Sequence, residues 1–170
     1  MKVAKRPGTL IGLTMQSDRH PAVPDSEPVA GVVSASAAGV LPRDFTGKWQ
    51  VRRTVIDHFN RQRHDFTGLT TITGTSIVER GELQIGDAAI EASRTYQLTM
   101  DDGGVIVRFA TGLEFVRLDL AACQTVHHCC GADMYRGRFL FQNRNCWSEF
   151  WRVRGPRKRY VSLTRYRRLG

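Results

Sequence analysis

From Phe45 to Arg168 hydrophobic and polar residues alternate in short runs. Side chains along a strand point to opposite faces in turn, so a period of two marks a strand with one face in a core. Three such runs end the chain: Asp133 to Phe141, Cys146 to Val153 and Arg159 to Arg168. Their joints, Gln142-Asn143-Arg144-Asn145 and Gly155-Pro156-Arg157-Lys158, carry residues suited to tight antiparallel turns. One face collects Asp133, Tyr135, Phe139 and Phe141, then Trp147, Glu149 and Trp151, then Tyr160, Ser162, Thr164, Tyr166 and Arg168. Aromatic rings interleaved with acids, hydroxyls and an arginine read as the wall of a cavity.

The same period runs upstream. Phe45, Gly47, Trp49, Val51, Arg53 and Val55 share a parity, which predicts a long first strand with Trp49 inward and Arg53 on the same face. His58 to His64 is polar and reads as a turn, with a short helix opening at Asp57 as the alternative. Phe66 to Thr73 and Ile77 to Ile85 follow as strands around Gly74-Thr75-Ser76, and a bulge or sharp bend is expected at Gly81. Ala89 to Met100, Val105 to Ala110 and Leu113 to Leu120 are the next three, the first two joined by Asp101-Asp102-Gly103-Gly104, the strongest hairpin signal in the chain. Ala121 to Gly131 has no period that can be assigned. The sum is an all-β chain of about eight or nine strands linked by short turns, and a sheet that wide removes its exposed edges by closing. An antiparallel up-and-down β-barrel is therefore expected over residues 43–170, its interior filled by side chains or by one ligand. Residues 1–42, with Pro7, Pro21, Pro24, Pro28 and an Ala/Ser/Gly/Val patch at Ala30 to Val40, lack periodicity and read as a flexible leader.

Charge changes the picture little. The 170 residues carry 25 Lys plus Arg against 16 Asp plus Glu, a net charge of +9, which would attract acidic ligands or phosphates. A nucleic-acid face requires a continuous positive stripe with exposed aromatics, whereas the basic residues are scattered and thicken only at Arg152 to Lys158 and Arg165 to Arg168. A solvated rim is the expectation over a nucleic-acid face, and a nucleic-acid or protein-interaction module through the basic surface stays as a further alternative. No apolar run has signal-peptide quality or approaches the roughly 20 residues of a membrane span, which predicts a cytoplasmic protein without membrane insertion. In that compartment Cys123, Cys129, Cys130 and Cys146 are expected as free thiols.

Three chemistries compete. His127, His128, Cys129, Cys130 and Asp133 are competent zinc ligands, but the paired Cys-x-x-Cys knuckles of structural zinc sites are absent, and no metal is expected. Asp133 or Glu149, near Tyr135, would serve an enzyme as general acid or base; the alternative is an internal ion-pair network with Arg53, Arg117 or Arg168. No Ser-His-Asp order, nucleophile elbow or glycine-rich phosphate loop is present, so whether the chain is an enzyme stays open. The third is a binding cavity for a small amphipathic molecule, an anionic one among the options. Its expected contacts are Arg53, Tyr96, Phe115, Arg117, Asp133, Tyr135, Glu149, Trp151, Tyr160, Thr164 and Tyr166. The cofactor is unknown, and the basic turn Gly155 to Arg159 is a minor candidate for phosphate.

Gly47-Lys48-Trp49 resembles the Gly-x-Trp signature of the lipocalin and wider calycin barrels. The resemblance implies a lipocalin-like fold in which Trp49 closes one end and packs on an arginine of the last strand, Arg168, or Arg167 if the register slips. In the haem-binding members it would also imply a histidine ligand, His127 or His128. The wider composite also resembles a bacterial family known only as a domain of unknown function. It runs through Arg53, Cys130-Gly-Ala-Asp133-Met-Tyr135-x-Gly137, Trp147-x-x-x-Trp151, Gly155-Pro156-x-Lys158-x-Tyr160 and Thr164-x-Tyr166-x-Arg168, and spans about Phe45 to Arg168.

Overall fold

The computed structural model describes residues 42–101 and 103–170. Apart from Pro42, the leader expected over 1–42 lies outside the described residues. A single helical turn, α1 (Pro42–Phe45), precedes ten strands: β1 (Gly47–Asp57), β2 (Gln62–Ile72), β3 (Ser76–Ile85), β4 (Ala88–Asp101), β5 (Gly104–Arg108), β6 (Glu114–Leu118), β7 (Cys123–Cys130), β8 (Asp133–Asn143), β9 (Cys146–Gly155) and β10 (Lys158–Arg168). They form one antiparallel sheet in the order β6-β5-β4-β3-β2-β1-β10-β9-β8-β7. Each hairpin packs beside the last, and β1 pairs with β10 from Trp49 opposite Arg168 to Asp57 opposite Tyr160. The sheet curls until β6 and β7 approach without a hydrogen-bonded ladder among the described residues, giving a nearly closed barrel.

Three details depart from the sequence reading. The tenth strand, β7, falls where no period could be assigned, because Val126 is its one buried residue and a marginal strand with so little core face leaves almost no alternation. β2 begins at Gln62 rather than Phe66, since His64 is turned inward and buried although its neighbours are polar. No bulge occurs at Gly81: the β2–β3 register passes through it unbroken, with Gly81 opposite Gly68. A Cβ on either would run into the facing backbone and the Phe66 ring, so the pair permits close strand approach under an aromatic cover.

The Trp49 end is plugged. Trp49 is buried, its indole Nε1 donates to the Phe45 carbonyl at 3.2 Å, and the Arg168 guanidinium lies 4.2 Å from the ring centroid. Arg168 also donates to the carbonyl oxygens of Thr46 (2.7 Å), Arg144 (2.8 Å) and Asp44. Gly47 has φ +132°, and any side chain there would collide with that guanidinium, a physical reason for glycine two residues before the tryptophan. Phe45, Phe141 and Trp147 fill the space beneath.

Candidate functional site

Inside the barrel β1, β3, β4, β9 and β10 each turn a polar side chain toward one point. The Arg53 guanidinium grips Glu79 with two bonds, Nη1 to Oε1 at 2.7 Å and Nη2 to Oε2 at 2.9 Å, while its Nε donates to Thr164 Oγ1 at 2.8 Å. Arg94 Nη2 reaches Glu79 Oε2 (3.3 Å), Glu149 Oε1 (3.4 Å) and the Tyr166 hydroxyl (3.2 Å). Tyr166 in turn donates to Glu149 Oε1 at 3.1 Å, and Thr70 donates to Glu79 Oε2 at 3.2 Å. Two guanidinium ions thus face two carboxylates, a cluster without net formal charge. Burial alone would raise the Glu79 carboxyl, but Arg94 and Arg53 outweigh it and hold the group at about 2. Burial pushes the Tyr166 hydroxyl up, and Glu149 beside it pushes further, so it stays protonated as a donor. Arg94 is the outermost member, its side chain 22% exposed against 3% for Arg53.

An aromatic group faces this cluster across the interior. Phe115 stacks on Trp151 with centroids 5.1 Å apart and on Tyr96 at 5.7 Å, while the His128 ring meets Phe115 edge-on at 5.1 Å. These side chains bridge the seam where β6 and β7 lack a ladder. Burial lowers the His128 pKa, which keeps the ring neutral within the stack. The wall is also incomplete nearby. β5 and β6 have five residues each, so β4 is paired on that side only from Gln97 to Asp101, and its residues 88–96, Arg94 among them, carry no strand partner there.

Between cluster and stack lies a cavity of about 90 Å³. Of the expected contacts, Arg53, Tyr96, Phe115, Tyr135, Glu149, Trp151, Tyr160 and Tyr166 line it. Arg117, Asp133 and Thr164 do not. A register irregularity at Val107/Arg108 breaks the period of two in β6, so Phe115 and Val116 are both buried and Arg117 is left exposed on the outer wall. Asp133 sits at the strand end, 2.6 Å from Lys158 Nζ, which also donates to the Tyr135 hydroxyl at 3.2 Å. Thr164 is fully buried behind Arg53.

Sequence reasoning missed Glu79 and Arg94, one acid and one base of the cluster. Their signal was faint: Glu79 lies between Val78 and Arg80 in a strand read for its hydrophobic residues, although the parity of Ile77 and Leu83 places it inward. The internal network weighed in the sequence does form around Arg53, with Arg94 as its second base; Arg168 instead serves Trp49. Three buried nitrogens on the cavity wall, His64 Nδ1, Arg94 Nε and Trp147 Nε1, have no hydrogen-bond partner among the described residues. Arg94 Nε is 2.9 Å from Glu79 Oε1, but its orientation makes an ion pair only. No group of three or more His, Cys, Asp or Glu able to hold a metal occurs among the described residues. His127, Cys129 and Cys130 are exposed, and the four cysteines are free thiols.

The architecture is thus an all-β, ten-strand, nearly closed antiparallel barrel with a polar cluster and a cavity inside. The chain belongs to a family of unknown function, DUF6314, which matches residues 45–168. No curated protein matches it. Among solved structures it is similar to the S-type phycobiliprotein lyase CPES of Guillardia theta, at 13% identity and TM-score 0.54, covering 75% of this chain and 90% of the lyase. A protein of unknown function of the DUF3598 family from Nostoc punctiforme is also similar, at 13% identity and TM-score 0.55, covering 82% of this chain and 53% of that longer one. These likenesses concern the fold.

Proposed function

We propose that the barrel interior binds one small amphipathic molecule, with its planar apolar part against Trp151, Phe115 and Tyr96 and its polar head at Arg94. The observation that carries this reading is the cavity between an aromatic stack and a hydrogen-bonded ionic cluster. Burying four charged groups costs several kcal/mol per ion before their mutual attraction is counted, so a barrel needing only a core would be better served by aliphatic residues. His64 Nδ1 and Trp147 Nε1 support the same reading, because a polar ligand atom would satisfy buried groups that otherwise have no partner among the described residues. The head carries an acceptor oxygen, and one negative charge suits it, since Arg94 is the more exposed of the two guanidinium ions. At about 90 Å³ the cavity is small against the roughly 300–1,000 Å³ of pockets for drug-sized ligands. A larger ligand therefore enters by displacing the aromatic side chains at the β6–β7 seam, where no ladder has to break.

Native mass spectrometry of the protein purified from its source tests this, together with titration by 1-anilinonaphthalene-8-sulfonate, an aromatic probe with an anionic head. A retained small molecule, or saturable one-to-one probe binding weakened at least tenfold by Arg94→Gln, is expected. An empty protein that also shows no saturable binding would overturn the proposal. An enzyme using Glu149 with Tyr166 is the second reading, favoured by their hydrogen bond on the cavity wall and by the occurrence of a similar fold in a phycobiliprotein lyase.

A further inference from the structure

The scatter of basic residues along the sequence disappears in the folded register. β7, β8, β9, β10 and β1 are consecutive in the sheet, and their outward side chains form one wall. Arg136 faces Arg152 across β8 and β9, Arg154 faces Arg159 across β9 and β10, and Arg165 faces Arg52 across β10 and β1. Arg138, Arg167 and Lys48 are exposed on the same wall. None of the acidic residues of these five strands is exposed: Asp57 and Glu149 are buried, and half-buried Asp133 is tied to Lys158. The opposite wall, β2 to β6 with its turns, exposes Glu82, Asp87, Glu91 and Glu114 among its bases. The excess positive charge is therefore concentrated on one side, and among the described residues the ion pair of these strands outside the barrel's ionic cluster is that of Lys158 with Asp133, which leaves the outward arginines unpaired.

At the centre of that wall Phe150 lies opposite Leu163 on one side and Arg138 on the other, with Arg152 two residues along its own strand. Phe150 and Leu163 are each 37% exposed, and Met134, outward on β8 opposite Arg154, is 65% exposed. That arrangement bears on the kind of partner. A lipid surface is held by a broad apolar face that sinks roughly 5–10 Å past the headgroups, whereas the exposed apolar side chains of this wall, Phe150, Leu163 and Met134, stand singly or in a pair among arginines. A duplex is stiff and would touch a convex barrel along a narrow line. A single strand of nucleic acid is flexible enough to follow the curve, and its charge repeats with every nucleotide. The wall repeats too: neighbouring strands stand about 4.8 Å apart, and residues two apart along a strand about 6.7 Å. Arginine predominates over lysine there, and its planar fork binds phosphate oxygens in pairs. Phe150 offers a flat apolar surface for one base.

We infer that the outer wall formed by β7–β10 and β1 binds single-stranded nucleic acid, mainly through its phosphates and with little sequence preference. Fluorescence anisotropy of a labelled mixed-sequence 20-nucleotide single strand, titrated with the full chain over a range of salt, tests this. With about four phosphates neutralised, log K should fall with log salt at a slope near −3, roughly 60-fold between 50 and 200 mM. Arg138→Glu with Arg152→Glu should weaken binding at least tenfold and flatten the slope, whereas Arg61→Glu with Arg80→Glu, an equal change of charge on exposed positions elsewhere, should weaken it much less. Phe150→Ala should lower affinity and leave the slope unchanged. Circular dichroism of each variant establishes that it is folded. Equal loss in the two charge reversals, no saturable binding at 50 mM salt, or tighter binding to vesicles containing anionic lipid than to the oligonucleotide would overturn the inference.

Discussion

Arg52 and Arg53 are consecutive in β1, yet they occupy opposite physical regimes. Arg53 points into the barrel, is buried, and is matched atom for atom by Glu79. Arg52 points outward into a wall with no exposed acid. Inside, each charge is desolvated and survives only because its counter-charge is fixed within hydrogen-bonding distance, so geometry is everything and net charge is zero. Outside, each charge keeps its water, gains little from any one neighbour, and adds to a field that acts on whatever approaches. A count of basic residues cannot separate these populations. Substitutions can, because the inner set governs stability and the outer set governs association.

The largest effect is expected at Glu79. Glu79→Gln leaves Arg53 and Arg94 facing each other with one carboxylate too few, and breaking a buried pair in this way costs about 3–5 kcal/mol. Urea unfolding should show it as a fall in midpoint with little change in slope. Replacing both partners, Arg53→Met with Glu79→Leu, should lose less than Glu79→Leu alone, since the second variant strands a buried cation.

Acid should reproduce part of that loss without mutation. Glu79 sits at about 2 in the fold against 4.5 in the unfolded chain. A depressed carboxyl contributes stability that is complete above the unfolded value and disappears as pH falls through the folded one, so the window runs from about pH 4.5 down to about 2. The shift corresponds to roughly 3 kcal/mol. Urea midpoints across that window should fall more steeply in the native protein than in Glu79→Gln; parallel curves would place the acid sensitivity elsewhere.

The plugged end comes next. Arg168→Lys keeps a positive charge but loses the fork that spans the Thr46 and Arg144 carbonyls and the flat face over Trp49. A loss of about 1–2 kcal/mol is expected, with a changed tryptophan emission spectrum.

That end of the barrel was legible in the sequence because its signal is local: Gly47 and Trp49 are two residues apart, and the last strand could be counted to Arg168. The last three strands, β8 to β10, were legible for the same reason, their aromatic alternation being nearly unbroken. The ionic centre was not. Arg53, Glu79, Arg94 and Glu149 come from four strands, and which acid meets which base depends on the stagger of strands around the barrel, which period-two reasoning does not supply. Arg117 shows the complementary failure, since one irregularity between β5 and β6 reversed the face on which it was expected. The basic wall was hidden for a third reason: arginines spaced along four strands look dispersed until the register lays them side by side.

The smallest effect on stability belongs to that wall. Arg152 stands beside Arg136 and near Arg154, with no acid exposed on its face. Arg152→Glu therefore removes like-charge repulsion and creates the first opposite-charge contact there, while leaving every buried group in place. Exposed substitutions of this kind change stability by at most about 0.5 kcal/mol. The melting temperature should stay level or rise slightly at low salt, and any rise should shrink as salt screens it. A marked fall would mean that Arg152 holds the barrel together as Arg53 does, and the division between inner and outer arginines would then fail at its outer member.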